Sequence, residues 1–321
     1  MTRTPTTPAV LLIVALGAAC GGGVTEQTAP TGPTAWDPSE TAIRIGLTMV
    51  PPEEGGYVEV TYLVSVPDDL RDARSLPQPL EVAFPTAWAG RDDFFDDIEG
   101  ITATTRDGDD LRIEVHTDGR VSIVHDALDE LVLSYRVRPA HRLLTESSRF
   151  YALLNANRFY APGHAVFAQP LNLPGGDAFE AIGVRFDDEF PGWDLEATVD
   201  VASGPLSMDQ LVNASFFAGA FEHLDREDAQ RRVDVWAEPD LAVPRYELTD
   251  RTFDVLSAQA GMLGPDLSAR TTVVVLRREE DPSTLTGNGR EGGFVLELGN
   301  RIDDVDDELL ELISHENLHR L

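Results

Sequence analysis

Between Tyr57 and Val66 the chain alternates strictly: Val58, Val60, Tyr62 and Val64 interleave with Tyr57, Glu59, Thr61 and Leu63. A period of two is the signature of a half-buried strand, because successive side chains leave a pleated backbone on opposite faces. Extended runs recur from Leu80 to Phe84, Leu111 to Val115, Val121 to Val124 and Leu131 to Val137. Asp107-Gly108-Asp109 and Asp118-Gly119 supply turns between them. A short run from Leu171 to Leu173, then Ala181 to Phe186 and Leu195 to Val201, continue the series. Residues 41–240 therefore read as a mostly β region, with two packed antiparallel layers of the β-sandwich kind.

After about residue 240 the period changes. Phe253, Val255 and Leu256 fall at helical spacing within Leu248 to Leu263, and Thr271 to Leu276 is an apolar, β-branched strand. Gly287, Gly289, Gly292 and Gly293 read as a flexible connection into Phe294 to Leu298, a strand candidate suited to a sheet edge. From Ile302, the positions Val305, Leu309, Leu312 and Ile313 recur at intervals of three and four, predicting an amphipathic helix. Asp303, Asp304, Asp307 and Glu311 fall mostly on its other side. Residues 241–321 thus form the start of an α+β unit. The glycine segment lacks the lysine and hydroxyl of a phosphate-binding loop.

The last helix carries His315-Glu316-Asn317-Leu318-His319. Two histidines four apart lie about 40° from each other around a helix, so both imidazoles share one side. The sequence places them and Glu316 beside the apolar arc, all three pointing inward. His-Glu-x-x-His is a zinc-peptidase pattern: His315 and His319 are candidate metal ligands and Glu316 a candidate general base. Catalytic zinc takes three protein ligands and a water, so a further ligand is required. Against this stands the reading of two hydrogen-bonded histidines on a structural helix. His116, His125, His141, His164 and His223 are scattered, and none is assigned to zinc.

Composition adds a compartment. Arg3 precedes an apolar run from Ala9 to Ala19, and Leu16-Gly17-Ala18-Ala19 leads into Cys20, the one cysteine of the chain. That order is a secretory leader over residues 1–20 with a lipobox-like junction, which predicts lipidation at Cys20 and a bacterial envelope location, with plain secretion as the alternative. A Gly-, Thr- and Pro-rich stretch over residues 21–40 reads as a tether. Aspartate and glutamate number 56 against 25 arginines and no lysine, a formal charge of −31. Such a balance excludes nucleic acid as a partner.

Three segments together resemble the M61 metallopeptidases, the glycyl aminopeptidase group. Leu312-Ile313-Ser314-His315-Glu316-Asn317-Leu318-His319 is similar to that family's catalytic helix. Tyr151-Ala152-Leu153-Leu154-Asn155-Ala156-Asn157-Arg158-Phe159-Tyr160 resembles its Tyr-Phe-Asn-Gly segment, and Asp209-Gln210-Leu211-Val212-Asn213-Ala214-Ser215 its Asp-Glu-Leu-Val-Asp-Ser-Pro segment. Gly292-Gly293-Phe294-Val295-Leu296 keeps the glycines of the family's Gly-Gly-Leu-Glu-His strand but not its Glu-His pair. The resemblance implies a β-rich region followed by a thermolysin-like catalytic domain, Zn2+ as cofactor, peptide or protein substrates, and a glutamate ligand downstream of Leu321. A catalytically inactive binding or structural lipoprotein of the same build is the alternative. A polysaccharide-binding sandwich is a third, for which Trp88, Trp193 and Trp236 show no regular row.

Overall fold

The computed structural model describes residues 41–319 except 51–55, 68–74, 89–91, 140–147, 174–180, 188–192, 194, 202–203, 264–268 and 279–280. The leader, Cys20 and the tether over residues 21–40 lie outside the described residues, as does His141. Among the described residues no helix is long and apolar enough to cross a membrane.

The first sheets are built from β1 (Ile43–Val50), β2 (Tyr57–Ser65), β3 (Leu80–Ala83), β4 (Ile98–Thr105), β5 (Arg112–Val115), β6 (Arg120–Val124) and β7 (Glu130–Val137). Next come β8 (Leu153–Leu154), β9 (Arg158–Pro162), β10 (Gln169–Pro170), β11 (Ile182–Asp187), β12 (Leu195–Ala197), a six-residue helix α1 (Met208–Asn213) and β13 (Ser215–Gly219). They form three sheets, ordered β11-β1-β2-β7-β4, β10-β3-β6-β5 and β12-β13-β9-β8. The alternation read along Tyr57 to Val64 is the cause: Val58, Val60, Tyr62 and Val64 are buried, and Tyr57, Glu59, Thr61 and Leu63 between them are only half-buried. They share one core with Leu80, Val82, Val121 and Ile123 of the second sheet. The region is mostly β, as its pattern requires. Leu171 to Leu173 is not a strand; Leu171 is exposed, and the pairing with β3 is made by Gln169 and Pro170.

The remaining elements are β14 (Glu222–Glu227), β15 (Arg232–Ala237), the helix α2 (Arg245–Leu263), β16 (Arg270–Arg278), β17 (Leu285–Arg290), β18 (Gly293–Gly299) and the helix α3 (Asp307–Leu318). The strands form one mixed sheet, β14-β15-β16-β18-β17, in which β15, β16 and β18 run parallel. Its first strand begins at Glu222, so the change of character read near residue 240 falls within the chain of this sheet. Val273, Val275, Phe294 and Leu296 face α2 and α3, while Val274, Leu276 and Val295 turn the other way. There they meet Tyr160 and Phe217, whose neighbours Phe159 and Phe216 belong to the first core. One strand pair, β9 and β13, therefore serves both cores through its two faces.

Two expectations for the site's surroundings fail here. The glycine segment is not a flexible connection: Leu285–Arg290 is a strand, antiparallel to β18, joined to it by the two-residue turn Glu291-Gly292 with Gly292 at φ 73°. Phe294 to Leu298 is an inner strand, and β17 holds the edge instead. Sequence pattern favours loops at glycines because it cannot register what lies above them. Here a helix packs directly onto β17.

Candidate active site

The motif helix starts later than its pattern suggested. Asp306 caps it, its side chain accepting from Leu309 N at 2.9 Å, and Asp307 and Glu308 sit at the positive end of the dipole. Leu309 and Ile313 pack into the core under the mixed sheet. A buried amide network ties the far end to α2: Asn317 donates to Gln259 Oε1 at 2.8 Å, and Gln259 Nε2 donates to Ser314 O at 2.9 Å.

Glu316 points inward as predicted and is 5% exposed. The inward placement of His315 and His319 is corrected: both are exposed and turn toward an open cavity. The reason is angular, since Leu309, Ile313, Glu316 and Asn317 hold the buried arc and the histidines fall at its margin. His315 Nε2 and His319 Nε2 lie 2.9 Å apart, with the rings nearly perpendicular. Two nitrogens on one tetrahedral zinc sit roughly 3.3 Å apart for Zn–N bonds of about 2.05 Å. A few tenths of an ångström of opening converts the one arrangement into the other, so the pair fits a zinc ion as two of its ligands. Among the described residues no group of three or more His, Cys, Asp or Glu side chains is gathered as a metal cage.

β17 closes one side of the site. A Cβ on Gly287 would stand 2.5 Å from Glu316 Cγ, and one on Gly289 would stand 2.5 Å from His319 Cβ and 2.7 Å from Glu316 O. Only glycine lets the helix approach this closely. The cavity between β17, α3 and the β-rich region measures about 760 Å³ and is bounded also by Trp88, Arg149, Phe150, Asn213 and Arg290.

Those five residues carried no role in the sequence reading. Some signal existed: Arg149 and Phe150 precede the Tyr151 segment, Asn213 lies in the Asp209 segment, and both segments were picked out by resemblance. Asn213 O accepts from Glu291 N at 3.0 Å, which joins α1 to the β17–β18 turn. Arg290 is buried, its guanidinium 4.4 Å over the Trp88 ring and 3.2 Å from His164 Nδ1. With its amide oxygen turned to the guanidinium, Asn288 accepts from Arg290 Nε at 3.1 Å. Burial lowers the Arg290 pKa from its ordinary value, opposed by Tyr160 and by the charge of Glu316. Burial and the Arg290 charge push His164 down to about 3, so its ring is neutral at pH 7. His223 sits on β14, stacked on Trp236 and bound to Asp234 at 2.9 Å, a structural arrangement. His116 pairs with Ser122, and His125 with the Asp126 carbonyl.

No family model matches the chain, and no curated protein matches it. Solved structures do. An aminopeptidase N family protein from Idiomarina loihiensis superposes with TM-score 0.69 at 13% identity, over 87% of this chain and 47% of that one. Aminopeptidase A from Legionella pneumophila, in complex with aspartic acid, gives 0.52 at 10% identity, over 87% and 34%. An M1 zinc metallopeptidase from Deinococcus radiodurans gives 0.47 at 14% identity, over 86% and 63%. The fold is thus one that aminopeptidases use. The chain spans about half the length of the Idiomarina protein.

Proposed function

We propose that this chain belongs to a zinc-dependent peptidase of the aminopeptidase kind, with the mixed sheet, α2 and α3 as the beginning of a thermolysin-like catalytic domain. The observation that supports it is the convergence of His315 and His319 to 2.9 Å, with buried Glu316 beside them on one cavity. Zinc bound there supplies Lewis acidity, making water a better nucleophile and the peptide carbonyl a better electrophile. The remaining protein ligand is a carboxylate from outside the described residues, as the resemblance to the glycyl aminopeptidase group implies.

Each residue of the chain then has a task. His315 and His319 present lone pairs to the metal. Glu316 takes a proton from the attacking water and returns it to the leaving nitrogen, while a C–O bond forms and the C–N bond breaks. β17, the edge strand of the mixed sheet among the described residues, offers its outer backbone to an extended peptide and so aligns the scissile bond. The leader of residues 1–20 and Cys20 place this activity at the bacterial envelope in the same proposal.

Zinc content and peptide hydrolysis, measured together on the full-length protein, test this. Glu316→Gln retains metal and loses at least about a hundredfold in rate, the lower range of general-base catalysis. His315→Ala loses both. Hydrolysis by Glu316→Gln at the wild-type rate would sink the proposal.

A further inference from the structure

The β-rich region meets the mixed sheet along a seam with an apolar middle, where Leu153, Tyr160 and Phe217 pack on Val274, Leu276 and Val295. Glu297 extends that row. It lies two residues beyond Val295 on β18 and level with Leu276 of β16, so its side chain leaves the same face of the sheet. It is fully buried, and neither carboxylate oxygen has a hydrogen-bond partner. Buried polar groups are hydrogen-bonded as a rule, and this one departs from it.

The charged and ionisable groups that face Glu297 come from both sides of the seam. Arg149, ahead of β8, holds Nη1 4.0 Å from Oε2, beyond hydrogen-bond reach. Arg158 and Tyr160 stand on β9, and Arg278 on β16. Thr286, level with Glu297 on β17, carries no charge, and Arg290 of that strand acts on the Tyr160 hydroxyl. Arg158 is committed to Glu238 in a buried ion pair, and Glu238 also accepts from Arg277 N at 2.6 Å. Three guanidinium groups thus attract the Glu297 charge, and none hydrogen-bonds to it.

Two forces compete here. The arginines favour the carboxylate, whereas loss of water favours the neutral acid and prevails, pushing the carboxyl up to about 7. A proton bound in the closed seam and released once water reaches the group ties proton binding to closure. The cavity spans the same seam, with Trp88, Arg149 and Phe150 on one side and β17 and α3 on the other. Parting the seam therefore widens the cavity.

We infer that the seam is a proton-sensitive latch: neutral Glu297 keeps the β-rich region closed on the mixed sheet, and charged Glu297 draws in water and loosens the contact beside the cavity. The latch needs neither metal nor turnover, so it stands or falls apart from the peptidase reading.

Native-state hydrogen exchange of the full-length protein reads it directly. Observed rates divided by the intrinsic exchange rate at each pH give an opening constant for each amide. For a carboxyl at about 7 when closed and 4.5 when open, opening is favoured about thirtyfold more at pH 8.5 than at pH 5.5. Wild-type amides of β9, β16 and β18 should show that rise relative to Glu297→Gln, which stays neutral throughout. Glu297→Met, also neutral and of similar length, takes its place if Glu297→Gln does not fold. Asp97, pushed up to about 7 by burial and by Asp93 and Asp96, is unchanged in both variants, so a slope of its making survives there. Seam amides should also open more readily than those of α2 and α3, which pack on the other face of the sheet. Equal opening constants in the two sets would mean unfolding of the whole molecule and overturn the latch. A pH-independent wild type, or a slope that the neutral variants keep in full, overturns it as well.

Discussion

Gly287 and Gly289 stand two residues apart on the same strand, and the structure assigns their alanine variants different failures. The added methyl of Gly287→Ala arrives 2.5 Å from Glu316 Cγ and 2.9 Å from its Cδ. Carbon atoms in ordinary contact lie about 3.5 to 4.0 Å apart, so roughly 1 Å must be found. Glu316 can yield it by rotating its side chain, at a strain of about 1 kcal/mol. The helix stays, and the carboxylate moves off its position by roughly 1 Å, a displacement that can lower a rate about a hundredfold. Gly289→Ala meets His319 Cβ at 2.5 Å and the Glu316 carbonyl at 2.7 Å. Those atoms are fixed by the helix itself, so α3 must shift as a body. Overpacking of this kind costs about 1 to 3 kcal/mol, which lowers Tm by roughly 5 °C in a domain of this size. It also moves His319 relative to His315. Calorimetry, zinc titration against a competing chelator, and peptide hydrolysis on the full-length variants separate the two cases. Gly287→Ala should keep Tm and zinc and lose rate; Gly289→Ala should lose Tm and zinc affinity together. Wild-type Tm and zinc affinity in Gly289→Ala would refute the close packing of α3 on β17.

Burial raises the Glu297 pKa from 4.5 to about 7, with Arg149, Arg278 and Arg158 opposing the rise. A carboxyl raised on folding binds more protons folded than unfolded, so its contribution to stability is full below about pH 4.5 and is lost as pH rises through 7. Glu297→Gln should therefore match the wild type in urea midpoint near pH 4.5 and exceed it above pH 7, by on the order of 3 kcal/mol at most; a difference independent of pH would refute the assignment. Mass spectrometry of the mature protein from a bacterial host should find Cys20 lipidated at the N-terminus, and an uncleaved leader with unmodified Cys20 would count against envelope anchoring.

Period alone determined much of the architecture. Strict alternation in Tyr57 to Val64 needs one buried face, and three- and four-residue spacing in Leu309 to Ile313 needs a helix over a core; both follow from local geometry and hold in the structure. The spacing of His315 and His319 likewise suffices to bring two imidazole nitrogens to 2.9 Å, because four residues make about one helical turn. Distant contacts decided the rest. A glycine in a strand looks like a loop until a helix is found resting on it, as α3 rests on Gly287 and Gly289. Phe294 to Leu298 is apolar whether central or at an edge, and only the pairing with both β16 and β17 makes it inner. Trp88, Arg149 and Arg290 are separated by up to 202 positions in the chain, and nothing local marks them as neighbours. The cavity they share with the histidines exists because β9 and β13 hold the β-rich region against the mixed sheet, an apolar contact between surfaces remote in sequence.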